Sequence, residues 1–416
     1  MATSMWRIKN SSEASLQPLL PPLPQDPTIQ VFFNQSEANV YTEPYRQITR
    51  HGDDLEQVVI DAIDQAIATV DIAVQELNLP GIAQALVDSQ RRGVEVRVIL
   101  ENDYAEASQV DALRVLDQAQ IARIDDTADG SKGSGLMHHK FVVVDGQQVV
   151  TGSANFTYSG IHGDAPTLQS RGNANALLKI DNRDVAQAFL QEFNRMWGDG
   201  PGTKPDSQFG LQKVPLPAQS LTLSTSTVSL QFSPVSSSKP WEQSVNGLIA
   251  RTLSRSTRGI DLALFVFSEQ AIANQLERQA QKGTEIRALV DPRFTYRSYS
   301  EVLDMLGVAI PDQRCNIEAE NQPWATPIQS VGMPKLPVGD KLHHKFAVID
   351  DHTVIVGSHN WSHAANTTND ETLMVIHNPT VAAHFSREFE RLYREPLIGD
   401  TASLAQKTEE SRQRCS

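Results

Sequence analysis

Apolar residues along the chain alternate between short strand-like runs and helical periodicities. Residues 28–34 and 70–74 form compact apolar runs, whereas residues 55–68 place apolar side chains three and four positions apart, as an amphipathic helix does. A further helical segment begins near residue 81 and leads to the run VEVRVIL at residues 94–100. This alternation of strands and helices predicts a layered α/β domain.

The second half of the chain repeats this order of elements. Its strand-like runs and helical segments lie at residues 228–232, 245–253, 260–267 and 271–281. Gly93 and Gly283 precede matching strands, and Asp71 matches Asp261 at the same offset along the chain. Two anchors at one offset indicate an internal duplication, so we predict two similar α/β units in one chain.

The composition between and around the repeats predicts the boundaries of the two units. The predicted segments are a flexible Pro-containing leader (residues 1–27), a first unit (28–199), a linker (200–227), a second unit (228–398) and a polar tail (399–416). The linker is rich in Gly, Pro, Ser and Thr, which is typical of surface connections. The tail, being polar, is expected to fray.

Each unit ends in the same polar pattern at identical spacing. The first copy contains His138, Lys140, Asp145, Gly152, Ser153 and Asn155, and the second contains His343, Lys345, Asp350, Gly357, Ser358 and Asn360. Side chains two residues apart share a face of a strand, so each His and Lys of the motif point the same way. The neighbouring His139 and His344 point the other way. A following strand returns the Ser and Asn to the same place, which predicts a polar cluster in each copy.

Such a cluster suits the chemistry of a phosphodiester. Lysine ammonium and asparagine amide groups can donate to the non-bridging oxygens, where negative charge builds up during substitution at phosphorus. Histidine can act as a nucleophile in one copy and as a general acid in the other. No cofactor is expected. A metal site is also not expected, because the adjacent histidines diverge on a strand and the chain has no HExxH or Cys cluster.

The pattern H-x-K-x4-D followed by G-S-x-N, present twice, resembles the phospholipase D superfamily over roughly residues 28–395. The resemblance implies two α/β/α sandwich units related by a pseudo-two-fold axis, with one active site at their interface. It also implies a phosphohistidine mechanism in which His138 is the nucleophile and His343 the general acid. The same positions imply that Lys140, Lys345, Asn155 and Asn360 bind phosphate, supported by Ser153 and Ser358.

Two further features of that family have partial counterparts. Asp145 and Asp350 complete the catalytic motif, although we expect them to brace a turn more than to touch substrate. An acid that holds a catalytic imidazole corresponds to Glu371 in the second copy, whereas the first copy has Asn175 at that place. Because an amide cannot stabilise a charged imidazole as a carboxylate does, the two histidines should titrate differently. Asp164, in a longer loop of the first copy, is the alternative to Asn175.

Composition limits the choice of substrate and compartment. The chain has 50 acidic and 36 basic side chains, giving a net charge of −14, which disfavours a protein held to long polyanions by its overall field. Two cysteines cannot build a disulfide framework, so a reducing compartment is the simpler interpretation, although export is compatible. No signal peptide or membrane span is recognised, and the expectation is a soluble cytoplasmic protein.

The favoured function is hydrolysis of phospholipid head-group phosphodiesters by a monomer that touches membrane surfaces transiently. An endonuclease acting on DNA or RNA is the main alternative, and a phosphatidyltransferase or a non-catalytic phosphate-binding scaffold is less favoured. The insertion at residues 311–340, which contains Trp324, is expected to help select the substrate.

Overall fold

The computed structural model describes residues 16–106, 110–133, 135–202 and 206–416. The first fifteen residues of the predicted leader lie outside this range. The described elements of the first half are β1 (Ile29–Phe33), β2 (Val40–Thr42), β3 (Thr49–His51), α1 (Leu55–Asp64), β4 (Thr69–Val74), α2 (Pro80–Arg91), β5 (Glu95–Leu100), α3 (Asp111–Gln118), β6 (Ala122–Asp125), β7 (Lys140–Val144), β8 (Gln148–Gly152), α4 (Tyr158–Ile161), β9 (Ala176–Asp181) and α5 (Arg183–Trp197).

The second half contains a similar series of elements. They are β10 (Gln219–Thr222), β11 (Thr227–Ser233), α6 (Val245–Leu253), β12 (Gly259–Leu264), β13 (Phe267–Ser268), α7 (Gln270–Gln281), β14 (Glu285–Val290), α8 (Glu301–Met305), β15 (Val331–Met333), β16 (Lys345–Ile349), β17 (Thr353–Gly357), β18 (Trp361–Ser362), α9 (His363–Thr367), β19 (Glu371–His377), α10 (Pro379–Leu392), β20 (Leu397–Ile398) and α11 (Ala402–Cys415).

The two halves build corresponding mixed sheets, which confirms the predicted duplication. The strand orders are β1-β9-β8-β7-β4-β5-β6 in the first sheet and β10-β11-β19-β17-β16-β12-β14-β15-β20 in the second. In both, the motif strand runs antiparallel to its neighbours: β7 lies between β4 and β8, and β16 between β12 and β17. The motif strands are therefore central and are held on both edges.

Helices cover both faces of each sheet. The central strands accordingly have successive apolar residues, as strands buried on both faces do. In β7, Val142 and Val144 pack with helices α1, α2 and α3, while Phe141 and Val143 pack on the side of α5. The faces that carry α5 and α10 belong to one continuous core, in which Phe33 of β1 meets Phe385 of α10 at a ring-centroid distance of 5.2 Å. This shared core joins the two units into one body.

The segments flanking the second unit are more ordered than their composition predicts. The predicted linker contains β10, which pairs with β11 at the edge of the second sheet. The predicted fraying tail forms helix α11, whose Leu404 is buried in the core of the second half. Trp324 of the insertion is buried in that core as well.

Cys315 and Cys415 form a disulfide that ties the end of α11 to the insertion. The preference for a reducing, cytoplasmic setting rested on the scarcity of cysteine. Because stable disulfides are typical of oxidising compartments, the cysteines give no support to that preference.

Candidate active site

The two motif strands meet where the halves interlock. The residue before each motif histidine forms an isolated bridge with the other half: Met137 pairs with Asp370, and Leu342 pairs with Ala174. The His138 amide donates to the Asp370 carbonyl (2.9 Å), and the His343 amide donates to the Ala174 carbonyl (3.1 Å). Each histidine is thereby positioned by the sheet of the opposite half, which brings both motifs to one place.

His138 is held by an acid from the second half. Its Nδ1 lies 2.7 Å from Oε2 of Glu371, and the same oxygen accepts a hydrogen bond from Ser358 Oγ (2.7 Å). Since a carboxylate accepts the Nδ1 proton, Nε2 of His138 is left with a lone pair that can face a substrate. The sequence does not reveal this contact between the halves, because Glu371 follows His343 in the second half of the chain.

His343 is held by an amide from the first half. Its Nδ1 lies 2.9 Å from Oδ1 of Asn175, which also accepts from Ser153 Oγ (2.8 Å). The Asn175 amide nitrogen donates to the Gly160 carbonyl (2.8 Å), so the orientation of the carboxamide is fixed. Asn175 therefore occupies the place of the acid. Asp164, the alternative, is bonded through its backbone to Arg46 and Ser170, whereas the bond to His343 Nδ1 comes from Asn175.

The motif lysines bond to the backbone of the histidines, and Asn155 joins this network through Gln75. Lys140 and Lys345 are buried, and each ammonium donates to the carbonyl of the histidine two residues before it at 2.7 Å. Lys140 also donates to Gln75 Oε1 (3.3 Å), which accepts from Asn155 Nδ2 (3.2 Å). The lysine ammoniums have donor capacity beyond these bonds, as the chemistry of an anionic substrate requires.

Burial controls the ionisation of this cluster. Burial and the two lysine ammoniums hold the pKa of His138 and of His343 well below the usual value, so both imidazoles are neutral near pH 7 in the absence of substrate. Burial lowers the pKa of Lys140 to about 7, lowers that of Lys345, and raises that of Glu371. An entering phosphodiester anion would favour the cationic form of both lysines.

Asp145 and Asp350 directly follow strands β7 and β16, at the ends that lie away from the motif histidines. Each aspartate lies seven positions after its motif histidine, which corresponds to about 23 Å of extended chain. The Asp145 carboxylate accepts from the amides of residues 67–69, at 2.8 Å for Ala68 and Thr69. Asp350 does the same for residues 257–259. Both have a positive φ, of 51° and 54°, and brace the turn that ends the strand.

Two carboxylates that the sequence analysis missed support the motif histidines. Glu101 Oε2 accepts from the amide of Met137 (2.5 Å), and Asp291 Oδ2 accepts from the amide of Leu342 (2.8 Å). Glu101 directly follows β5 and Asp291 directly follows β14, and each of these strands is separated from the motif strand by one strand. Glu101 and Asp291 are separated by the same interval as Gly93 and Gly283, so the offset that aligned the glycines could have identified them.

Comparisons with known proteins agree with the duplicated site. A family model described as "Cardiolipin synthase, PLD-like domain" matches residues 59–197 and 249–393. A mitochondrial cardiolipin hydrolase of Xenopus tropicalis is 38% identical over 135 residues, which are 32% of this chain and 56% of that protein. A phospholipase D of Rickettsia felis is 28% identical over 135 residues, which are 32% of this chain and 60% of that protein. The chain thus spans little more than half the length of these curated relatives.

A solved structure resembles nearly the whole chain. The phosphatidylserine synthase of Haemophilus influenzae Rd KW20 matches with a TM-score of 0.63, covering 94% of this chain and 92% of that one at 12% identity. At that identity the likeness shows the fold. No helix within the described ranges is both long enough and apolar enough to cross a membrane.

Proposed function

This chain belongs to the phospholipase D-like family, and on that premise we propose that it hydrolyses phosphodiesters through a phosphohistidine intermediate. The observation that carries the proposal is the unequal support of the two histidines. His138 has a carboxylate partner at 2.7 Å and His343 has an amide partner at 2.9 Å. A carboxylate stabilises the positive charge that a histidine acquires when it attacks phosphorus, which favours His138 as the nucleophile.

In the first step, Nε2 of His138 forms a bond to phosphorus while the bond to the leaving oxygen breaks. The Nδ1 proton of His138 stays hydrogen-bonded to Glu371, and protonated His343 gives its Nε2 proton to the leaving oxygen. The bound anion raises the protonated fraction of His343. Lys140 and Lys345 donate to the non-bridging oxygens, whose charge grows as phosphorus becomes five-coordinate.

In the second step, water attacks phosphorus and the bond to His138 breaks. His343, neutral after the first step, accepts a proton from that water, so both histidines return to their starting states. The overall reaction consumes one water and releases an alcohol and a phosphomonoester. Both histidines and both supporting side chains come from one chain, so we expect a monomer to be active.

A phospholipid is the favoured substrate class. The relatives named mitochondrial cardiolipin hydrolase and phospholipase D support this choice, and the acidic net charge disfavours long nucleic acids. The half-buried rings of Phe265 and Phe294 add apolar surface beside His343. The ring centroid of Phe265 lies 4.9 Å from that of Phe294 and 4.9 Å from that of His343. Such surface suits the carbon skeleton of a lipid head group.

A substrate panel tests this function. Phosphatidylcholine, cardiolipin, single-stranded DNA, RNA and bis(4-nitrophenyl) phosphate are assayed with EDTA present throughout. We expect turnover of a phospholipid and of the aryl diester, and loss of both in His138→Asn. Cleavage of DNA or RNA without lipid turnover would replace the lipid proposal by the nuclease. Turnover that EDTA abolishes, or that His138→Asn retains, would contradict the mechanism.

A further inference from the structure

The duplicated site has two chemically different sides. At the offset that relates Gly93 to Gly283, Gln75 in the first half corresponds to Phe265 in the second. The Gln75 carboxamide bonds to Lys140 and Asn155, whereas the Phe265 ring lies 4.9 Å from the His343 ring and 5.0 Å from the Lys345 ammonium. The side of the site beside His343 is thus the more apolar one.

A second difference lies two residues before each motif histidine. The first half has Leu136 at this place and the second half has Lys341. Alternate residues of an extended strand share a face, so Lys341 follows the same face as His343 and Lys345. The second half therefore carries one more cation along the line of its motif than the first half does.

The backbone of Lys341 is fixed from the opposite half. Its amide donates to Asn173 Oδ1 (2.9 Å), and its carbonyl accepts from the amide of Ala174 (2.8 Å). The side chain is half-buried. A half-buried cation on a fixed segment next to the motif is well placed to bind an anion, since little backbone freedom is lost on binding.

The ammonium of Lys341 is not neutralised by a direct partner. Within the ranges that the structure describes, Lys341 forms no ion pair, although the carboxylates of Glu76 and Asp291 lie in electrostatic range. Burial and Lys345 are the main causes that lower the pKa of His343, and Lys341 adds to them. Its charge is therefore felt at the reacting centre and is available to a ligand.

We propose that Lys341, in the half of the site that also carries the Phe265 ring, forms a subsite for a second phosphate carried by the leaving alcohol. The inference rests on the proposed function, with His343 on the leaving-group side. A nucleophile and a leaving group lie on opposite sides of phosphorus, so the alcohol departs on the side of His343, in the half of the site to which Lys341 belongs. The substrate class is a lipid whose leaving alcohol is itself esterified to a phosphate. Diphosphatidylglycerol meets this description, whereas phosphatidylglycerol releases only glycerol.

An internal competition measures the preference directly. Cardiolipin and phosphatidylglycerol are mixed in the same vesicles of fixed anionic content, and the ratio of their kcat/KM values is obtained from the two products. A shared surface makes vesicle binding equal for both substrates. Lys341→Leu, which copies Leu136 of the first half, should lower the cardiolipin preference about tenfold, as expected for a lost hydrogen bond to a charged group. Lys341→Arg should retain most of the preference.

Lys335→Leu is the matched control. Lys335 is an exposed lysine six positions before Lys341 and pairs with Glu395, so its removal changes the net charge equally without touching the motif residues. The control should keep the preference of the unmodified protein. The subsite would be overturned if Lys341→Leu and Lys335→Leu lost the cardiolipin preference equally. It would also be overturned if Lys341→Leu lowered kcat/KM for cardiolipin and for phosphatidylglycerol by the same factor. If the unmodified protein hydrolyses no phosphodiester at all, the proposed function fails first.

Discussion

His138 and His343 show how one side chain acquires two roles from its partners. Both imidazoles are buried, both donate from Nδ1, and both belong to the same H-x-K-x4-D motif. The difference is one atom of the partner, a carboxylate oxygen of Glu371 against an amide oxygen of Asn175. Carboxylate support favours the histidine that must become positively charged on attack, and the amide leaves the other able to release its proton.

Replacing Asn175 by Asp should move the pH profile in a known direction. A carboxylate beside His343 raises the pKa of that imidazole, and the general acid is active only while protonated. The alkaline limb of kcat/KM should therefore shift upward by about one pH unit. The measurement is the pH dependence of turnover of the aryl diester, with circular dichroism confirming the fold.

Glu371→Gln is the complementary variant at His138. It keeps a hydrogen-bond acceptor but removes the charge, and kcat should fall by roughly 10²- to 10⁴-fold, as in other sites where a carboxylate supports histidine. An alkaline limb that does not move in Asn175→Asp, or a Glu371→Gln enzyme of normal kcat, would contradict the assignment of roles.

At the scale of elements, the ends of the motif strands are braced by aspartates. Asp145 has a positive φ of 51° and accepts from three consecutive backbone amides at the start of β4. Asp350 repeats this arrangement at the start of β12. Because the bonds lie at the opposite end of β7 or β16 from the histidine, each aspartate supports the turn after the strand.

Asp145→Ala should therefore lower stability more than activity. The loss of a carboxylate that accepts several amides should reduce the free energy of unfolding by about 1–3 kcal/mol. Denaturant unfolding of Asp145→Ala and of the milder Asp145→Asn measures this, and kcat is compared at a temperature where both are folded. A large loss of kcat at unchanged stability would return Asp145 to the reacting centre.

Much of the fold is predictable from the sequence because the periodicity and the repeat are local signals. Strands β4 and β5, the motif strands and the offset that relates the halves all follow from the order of apolar residues. The exchange of partners between halves is not predictable in this way. Glu371 follows His343 within the second half of the chain yet bonds to His138. The reason is tertiary packing, in which the residue before each motif histidine pairs with the backbone of the other half.

At the scale of the whole molecule, a shared core and a covalent link hold the chain together. The core joins α5 of the first half to α10 of the second, while the disulfide closes the insertion onto α11. The polar composition of the tail predicted fraying. The order of the tail could not be predicted, because the burial of Leu404 and the pairing of cysteines 100 residues apart are not local signals.

Removing the disulfide should destabilise the protein. Cross-linking residues 100 positions apart restricts the unfolded chain, and loss of such a link typically costs about 2–4 kcal/mol. Cys415→Ser should therefore lower Tm and speed hydrogen exchange in α11, and the double variant Cys315→Ser/Cys415→Ser should match it. Two reactive thiols in the unfolded, unreduced protein would contradict the pairing.

The central claim is that His138 carries the phosphoryl group, and trapping the intermediate tests it most directly. The enzyme is mixed with a phosphodiester labelled in the retained phosphoryl moiety, quenched at alkaline pH, and mapped by mass spectrometry. The account predicts an adduct on His138 that is absent in His138→Asn. In His343→Asn, the adduct should still form on His138 when the leaving group is an activated aryl group. An adduct on His343 that persists in His138→Asn would contradict the account and reverse the two roles.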